Sequence, residues 1–389
     1  MLTRRAFLSG TIATGLAAPA LLSGRALAQS DRCQMLIDRA AARARAQNGA
    51  QLALSLALIS PEAPEGRVLV AGGAGLLSAT GAPLALTPQT PFEIGSISKV
   101  FTSALSYRAH GAYAGTLGTA LGGAVALSPA VAALELANLA SYRPGLPQDN
   151  QGGVYPPGTL ATLDSVFAYL NALPGPLPQG TCYAYSNLGW ALLAMAATGL
   201  QGTDTTAYVR RYAAALSAFC ADVGARDTQV FAPSLRPRLP IGYRREWRPL
   251  PTGAPYAPTR PPTIGAGGIV STGTDMLAFL ACNMGRKPGG PSDPALAYQQ
   301  SPRFHAPPCG GGERSPTTAY GWFAQQVATS GGPVRALNKN GAVAGFTSWM
   351  GFTDWQGTGA PATHGVVILA NGPVATRLGN EALRILLGA

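Results

Sequence analysis

The hydrophobic pattern places extended segments at the two ends of the chain and helices between them. Residues 31–47 predict an N-terminal helix, and the apolar runs 51–60 and 67–71 predict a hairpin. Residues 91–95 predict a strand or turn that leads into a helix over 96–110. The strand-like runs near the C-terminus are 319–328, 335–339, 345–352 and 365–369, and residues 377–387 predict a closing helix.

The middle of the chain predicts helices joined by irregular segments. The candidate helices are residues 129–140, 161–172, 187–200, 205–219 and 274–284. Ser128 is a candidate N-cap, and Pro129 suits the first helical position. A proline-rich connection covers residues 233–262.

This order of elements predicts an α/β fold. Strands from both ends of the chain should form one sheet, made by residues of about 29–95 and 315–389. The helices between them should form a mostly helical subdomain of about 96–314. An active site is expected in the cleft between the two parts.

The first residues predict an export signal. The segment Thr3-Arg4-Arg5-Ala6-Phe7-Leu8 has a twin-arginine pattern, and residues 10–22 are apolar. Ala26-Leu27-Ala28 is a candidate cleavage site. Residues 1–28 are therefore expected to be removed, which leaves a periplasmic domain of residues 29–389. A membrane anchor is disfavoured because the apolar run is short for a span.

The composition limits the classes of partner that the protein is expected to bind. The formal net charge is +11, but the arginines are scattered and no basic tract alternates with aromatic residues. A nucleic-acid partner is therefore not expected. A basic exported protein is compatible with peripheral contact to an anionic cell wall or membrane surface. The chain has no H-E-x-x-H motif and no C-x-x-C pair, so neither a metal nor a cofactor is expected.

The cysteines leave disulfide pairing open. An odd count means that at least one thiol stays unpaired, and an oxidising compartment would permit bridges among the rest. The five cysteines are Cys33, Cys182, Cys220, Cys282 and Cys309.

Lysine is scarce, and two lysines lie in motifs typical of catalysis. The chain has only three, and Lys99 ends the segment Ser96-Ile97-Ser98-Lys99. Positions i and i+3 share a helix face, so the Ser96 hydroxyl and the Lys99 amine should meet. A buried amine with a lowered pKa can accept a serine proton, which an arginine cannot do. Ser96 as a simple N-cap is the alternative.

Tyr185-Ser186-Asn187 is the second candidate motif. A tyrosine near two ammonium groups should have a lowered pKa and could move protons. Asn187 offers a donor and an acceptor to a substrate amide. The alternative is that Tyr185 is a packing aromatic residue and Asn187 a helix cap.

Lys339-Asn340-Gly341-Ala342 is the third candidate motif. Lys339 could face a substrate carboxylate, and Gly341 could let the substrate backbone approach closely. The backbone N–H of Ala342 could then face the same oxyanion as that of Ser96. The alternative is a charged edge strand followed by a glycine turn.

The order of these motifs resembles that of the penicillin-recognising serine hydrolases. The resemblance is to the class C β-lactamase branch with its D-Ala-D-Ala peptidase and esterase relatives, and it spans residues 51–389. Supporting stretches are Phe92-Glu93-Ile94-Gly95, Gly267-Gly268-Ile269-Val270-Ser271-Thr272 with Asp275-Met276, and Pro144-Gly145-Leu146-Pro147. The resemblance implies a β-lactamase/transpeptidase-like fold, with a mainly antiparallel sheet flanked by N- and C-terminal helices. It also implies β-lactams or peptidoglycan peptides as substrates.

The resemblance also implies a role for each motif residue. Ser96 resembles the acylated nucleophile, Lys99 its proton partner and Tyr185 the general base and acid. Asn187 resembles the substrate-amide ligand. Lys339 resembles the electrostatic clamp.

Two positions depart from the pattern of that branch. Asn340 stands where Thr or Ser is usual, and Asn338 stands where His is frequent. Asn340 should therefore hold a substrate carboxylate less well. An esterase on the same fold, or a weakly active cell-wall-binding protein, stays an alternative.

A Ser-His-Asp hydrolase is disfavoured. The chain has no G-x-S-x-G motif, and its three histidines lie outside the three motifs.

Overall fold

The computed structural model describes residues 24–72, 75–149, 155–252, 261–286, 293–311, 315–355 and 360–389, with side chains from Gln29 onward. The twin-arginine pattern and the apolar run 10–22 lie outside the described residues. No helix in these ranges is both long and apolar enough to cross a membrane.

The elements follow the predicted order. The helices are α1 (Gly24–Asn48), α2 (Ser98–His110), α3 (Leu117–Leu121), α4 (Pro129–Ala132), α5 (Leu136–Ala140), α6 (Leu163–Asn171), α7 (Asn187–Ala197), α8 (Thr205–Val223), α9 (Ile264–Gly267), α10 (Gly273–Asn283), α11 (Pro294–Tyr298) and α12 (Ala375–Leu387). The strands are β1 (Ala53–Ser60), β2 (Ala63–Gly72), β3 (Pro91–Glu93), β4 (Gln229–Val230), β5 (Ile269–Thr272), β6 (Thr317–Thr318), β7 (Phe323–Val327), β8 (Val334–Val343), β9 (Phe346–Thr353) and β10 (Gly365–Ala370). Short 3₁₀ helices cover Gly95–Ile97, Pro233–Leu235 and Pro261–Thr263.

The main sheet joins the two ends of the chain. Its seven strands run in the order β2-β1-β10-β9-β8-β7-β6, with every neighbouring pair antiparallel. All of β1 is buried because both of its faces are covered. Leu54, Leu56 and Leu58 pack on the side of α1 and α12, whereas Ala57 and Ile59 belong to the core on the opposite side. The predicted mainly antiparallel sheet with flanking terminal helices is confirmed.

The helical part is built around α2. Its residues from Ser98 to Ser106 are all buried, and α2 packs against α7 and α9. A second sheet has three strands in the order β3-β5-β4. In it, β5 pairs with β3, which directly precedes the turn that carries Ser96; this turn, Gly95–Ile97, is called the nucleophile turn below. These contacts hold the start of α2, and the adjoining 3₁₀ helix Gly95–Ile97 packs against β8 and β9 of the main sheet.

Two elements differ from the prediction. The expected helix over 129–140 is split into α4 and α5, because the backbone at Leu134 and Leu136 bonds to Leu117 and Gly115 instead of continuing a helix. Ser128 and Pro129 do occupy the predicted N-cap and first helical positions. The expected strand over 319–328 forms only from Phe323 onward, as β7, because residues 319–322 make the turn from β6 at Gly321, whose φ is +88°.

Candidate active site

Ser96 lies on a tight turn directly before the central helix. It is in the 3₁₀ helix Gly95–Ile97, and α2 begins at Ser98 with no side-chain cap on its first turn. The Ser96 hydroxyl is therefore not used as an N-cap, so that alternative is wrong. The neighbouring Ser98 is fully buried and accepts a hydrogen bond from the backbone N–H of Ile269 at 3.2 Å. Of the two serines in the motif, only Ser96 is partly exposed.

The Lys99 amine reaches the Ser96 hydroxyl as the spacing predicts. Lys99 Nζ is 3.0 Å from Ser96 Oγ, 2.7 Å from Asn187 Oδ1 and 2.7 Å from the carbonyl oxygen of Ala266. Lys99 is fully buried, and this burial lowers its pKa to about 7, although the charge of Asp149 acts in the opposite direction. A substantial fraction of Lys99 is therefore neutral at physiological pH.

The three contacts of Lys99 also orient the neutral amine. A neutral amine has two N–H donors and one lone pair, and the oxygens of Asn187 and Ala266 can only accept. These two oxygens therefore take both N–H groups, and the lone pair faces Ser96 Oγ, which is the one contact able to donate. The arrangement can remove the serine proton.

Tyr185 lies between the two motif lysines, but its pKa shifts against the prediction. Lys99 Nζ and Lys339 Nζ lie 4.9 Å and 5.4 Å from the centre of its ring. Burial raises the pKa of Tyr185 above its usual value, and a hydrogen bond with Ser96 offsets this only in part. The expected lowering is wrong because burial of the phenol outweighs any effect of the two nearby lysines. Tyr185 is therefore a neutral phenol able to donate.

The segment that carries Tyr185 is anchored on both sides. A disulfide joins Cys182 to Cys309, and the backbone of Tyr183 bonds to residues 307 and 309. Tyr142, which has a φ of +63°, stacks on the Tyr185 ring with 5.6 Å between centroids. The sequence analysis assigned no role to Tyr142. The other three cysteines are buried thiols that form no disulfide in the described structure.

Asn187 is the first residue of α7 but not its cap. Ser186 occupies the N-cap and accepts from the backbone N–H of Gly189, so the Asn187 side chain is left to bond Lys99. The cap interpretation of Asn187 is wrong. Asp149 Oδ1 accepts from the backbone N–H of Asn187 at 2.7 Å. Burial raises the pKa of Asp149, while this hydrogen bond and the charge of Lys99 act against the rise. The sequence reasoning missed Asp149.

Lys339 is buried on β8, an interior strand of the main sheet. Strand β8 pairs with both β7 and β9, so the edge-strand alternative is wrong. Burial, reinforced by the charge of Lys99, lowers the pKa of Lys339 well below its usual value. Lys339 Nζ donates to the carbonyl oxygen of Asn340 at 2.7 Å and lies 3.3 Å from Asn340 Oδ1. The amide nitrogen of the exposed Asn340 is thus left to donate to a ligand.

Gly95 and Gly341 allow the nucleophile turn and β8 to lie in close contact. A Cβ at Gly341 would lie 2.1 Å from the carbonyl oxygen of Ile94, and one at Gly95 would lie 2.7 Å from the backbone nitrogen of Ala342. Ser348 Oγ also donates to the Ile94 carbonyl, at 2.6 Å. Gly341 therefore allows a close approach of the nucleophile turn, and the predicted approach of a substrate backbone stays a prediction. This close approach brings the backbone of Ala342 beside the turn that carries Ser96.

The chain matches the model of the Beta-lactamase family over residues 62–389. The chain belongs to the beta-lactamase family. It is accordingly a serine hydrolase, and the fold class inferred from its three motifs is confirmed. A search of the curated proteins gave no match.

Solved structures share the beta-lactamase fold at low identity. One is a D-alanine carboxypeptidase AmpC from Burkholderia cenocepacia, with 19% identity and a TM-score of 0.65, over 92% of this chain and 99% of that one. Another is a class C beta-lactamase from Rhodobacter sphaeroides, with 21% identity and a TM-score of 0.65, over 94% and 98% of the two chains. A third is a beta-lactamase/D-alanine carboxypeptidase from Pseudomonas syringae, with 18% identity and a TM-score of 0.66, over 92% and 98%.

Metal ligation has no candidate among the residues that the structure describes. No group of three or more His, Cys, Asp or Glu side chains lies close enough there to hold an ion.

Proposed function

We propose that the chain is an exported hydrolase that forms an acyl-enzyme at Ser96 with β-lactams or D-Ala-D-Ala peptides. The observation that carries the proposal is the 3.0 Å contact between Lys99 Nζ and Ser96 Oγ, with the other two Lys99 contacts made to carbonyl oxygens. The structural neighbours include β-lactamases and D-alanine carboxypeptidases, which supports this substrate class.

The first step transfers a proton and forms an ester. Neutral Lys99 takes the Ser96 proton as the serine oxygen bonds to the substrate carbonyl carbon. The backbone N–H groups of Ser96 and Ala342 are the donors for the oxyanion. When the amide C–N bond breaks, the neutral Tyr185 phenol gives the departing nitrogen a proton and recovers one from the Lys99 ammonium. Water later hydrolyses the ester and releases Ser96.

Asn340 favours an esterase as a second candidate. Its amide replaces a hydroxyl where a substrate carboxylate should dock, so neutral esters should lose less binding than carboxylate-bearing substrates. Asn187, beside Lys99, is the proposed ligand for a substrate amide. Lys339 is the proposed electrostatic clamp, because a docked substrate carboxylate would favour its ammonium form against the burial that lowers its pKa.

Export is supported by the Cys182–Cys309 disulfide. Such bridges form and persist in oxidising compartments such as the periplasm. Cleavage after Ala28 would leave Gln29 as the first residue, within α1, where its side chain donates to the Leu386 carbonyl at 3.2 Å.

Mass spectrometry after exposure to a penicillin tests the proposal. We expect one adduct, mapped to Ser96 in a tryptic digest, that is absent from Ser96→Ala. Ser98→Ala serves as the matched control and should keep the adduct. A stable adduct after a chase indicates a peptidase, and a transient one indicates a β-lactamase. An adduct on another serine, or none with any penicillin or ester, would overturn the assignment of Ser96.

A further inference from the structure

A basic groove lies between the first and last helices, across the main sheet from the helical core. It has a volume of about 620 Å³ and runs between α1 and α12. Both helices pack on the sheet face that is opposite to the helical core. We call it the arginine groove, and its rim carries Arg32, Arg39, Arg43, Arg377 and Arg384.

The arginines form a row on each helix. On α1 they are spaced seven and four residues apart, and on α12 they are seven apart, so each row lies on one helical face. All five are exposed. The groove therefore has a positive rim on both sides.

Few acidic groups oppose this charge. Within the described residues, the only rim arginine in an ion pair is Arg377, which lies 3.5 Å from Glu381 in a pair that is about half exposed and weak. The last residue, Ala389, also lines the groove. The acids of α1 lie on another face: Gln34 bonds Asp38 and also reaches the Val70 carbonyl on β2.

The space between the two rows is apolar. Met35, Leu36, Leu378 and Ile385 line it. Met35 is 46% exposed and is the one large hydrophobic side chain that stands out in solvent among the described residues. A polyanion alone would gain nothing from these side chains, whereas a lipid surface would cover them.

We propose that the arginine groove docks the protein on an anionic phospholipid bilayer. The arginine rows would contact the phosphate groups, and Met35 would enter the boundary between headgroups and acyl chains. This contact is independent of the reaction proposed at Ser96. Because the groove and the cleft lie on opposite sides of the main sheet, a docked protein would present its active site away from the bilayer.

Vesicle sedimentation of the full chain tests the proposal. We expect binding to phosphatidylglycerol/phosphatidylcholine vesicles, no binding to phosphatidylcholine alone, and weaker binding as salt rises. The variant Arg39→Gln/Arg43→Gln/Arg384→Gln should bind about a hundred-fold more weakly, since each arginine near such a surface contributes about fivefold. Met35→Ser should also weaken binding.

A control triple variant has the same net charge as the first one, because it also removes three arginines. Arg226→Gln/Arg238→Gln/Arg245→Gln removes three exposed arginines that do not line the groove, and it should bind within about threefold of the parent protein. Equal losses in the two triple variants would overturn the proposal. So would equal binding to neutral vesicles, or binding to soluble polyphosphate as tight as to vesicles. Unchanged hydrolysis by both variants without vesicles confirms that they are folded.

Discussion

Asp149 accepts a hydrogen bond from the backbone N–H of Asn187, the residue whose side chain bonds the Lys99 amine. The carboxylate thus holds the start of α7 and also places a negative charge close to the candidate base. That charge raises the pKa of Lys99 against the larger effect of burial, which lowers it to about 7. The two residues together set the pH at which Lys99 can act.

Asp149→Asn should move the activity profile to lower pH. Acylation needs neutral Lys99, so its rate should rise with pH around 7 in the parent protein. The asparagine oxygen can still accept from Asn187, but the charge that favours the Lys99 ammonium is gone. The measurement is kcat/KM for acylation between pH 5 and 9, with the exposed Asp164→Asn as control. If the pH at which kcat/KM rises is unchanged in Asp149→Asn, or is higher, then the charge of Asp149 does not raise the pKa of Lys99.

Lys99→Arg should lose far more activity than Lys339→Arg. Arginine keeps the charge but cannot give up its proton, so the first variant should cost several orders of magnitude in acylation. The role proposed for Lys339 is electrostatic, and arginine retains it in part. Acylation rates of both variants with one reporter ester decide the question, and equal losses would remove the distinction between the two lysines.

Asn340→Thr should favour substrates that carry a carboxylate. We expect the parent protein to hydrolyse short p-nitrophenyl esters, to cleave D-Ala-D-Ala peptides slowly and to turn over cephalosporins modestly. The variant should gain about 1 kcal/mol, or roughly fivefold in kcat/KM, on the peptide and the cephalosporin but not on the ester. A uniform gain on all three, or a loss on the carboxylates, would show that Asn340 does not set specificity.

Glu93→Gln should change the pH dependence of stability. Glu93 is buried, its carboxyl oxygens have no hydrogen-bond partner in the described structure, and burial raises its pKa to about 9. Between pH 4.5 and 9 the folded state binds a proton that the unfolded state has released, so stability falls as pH rises, by up to about 1.4 kcal/mol per unit.

Glutamine cannot ionise, so the stability gained by Glu93→Gln should grow from pH 5 to pH 8. Urea unfolding of both proteins at pH 5, 6, 7 and 8 measures this difference directly. A constant difference across the series would show that Glu93 is ionised in the folded state.

The local features of the site were predictable and the long-range ones were not. Ser96 and Lys99 meet because the three-residue spacing encodes their contact. Asp149 was missed because its role depends on a loop that returns beside Asn187. The predicted direction of the Tyr185 pKa shift was wrong because burial outweighs nearby charge. The three-residue motif alone does not reveal how deeply Tyr185 is buried. The Cys182–Cys309 pair, 127 residues apart, also required the fold.

The contact of Ser348 with the Ile94 carbonyl joins residues 254 positions apart. The nucleophile turn therefore lacks its contacts with Gly341, Ala342 and Ser348 until β8 and β9 have been synthesised and paired. A chain that ends before residue 334 would contain Ser96, Lys99, Tyr185 and Asn187, but not the strand that carries Lys339 and Ala342. Activity should consequently appear at the end of folding, in one step, and an unfinished chain should be inert.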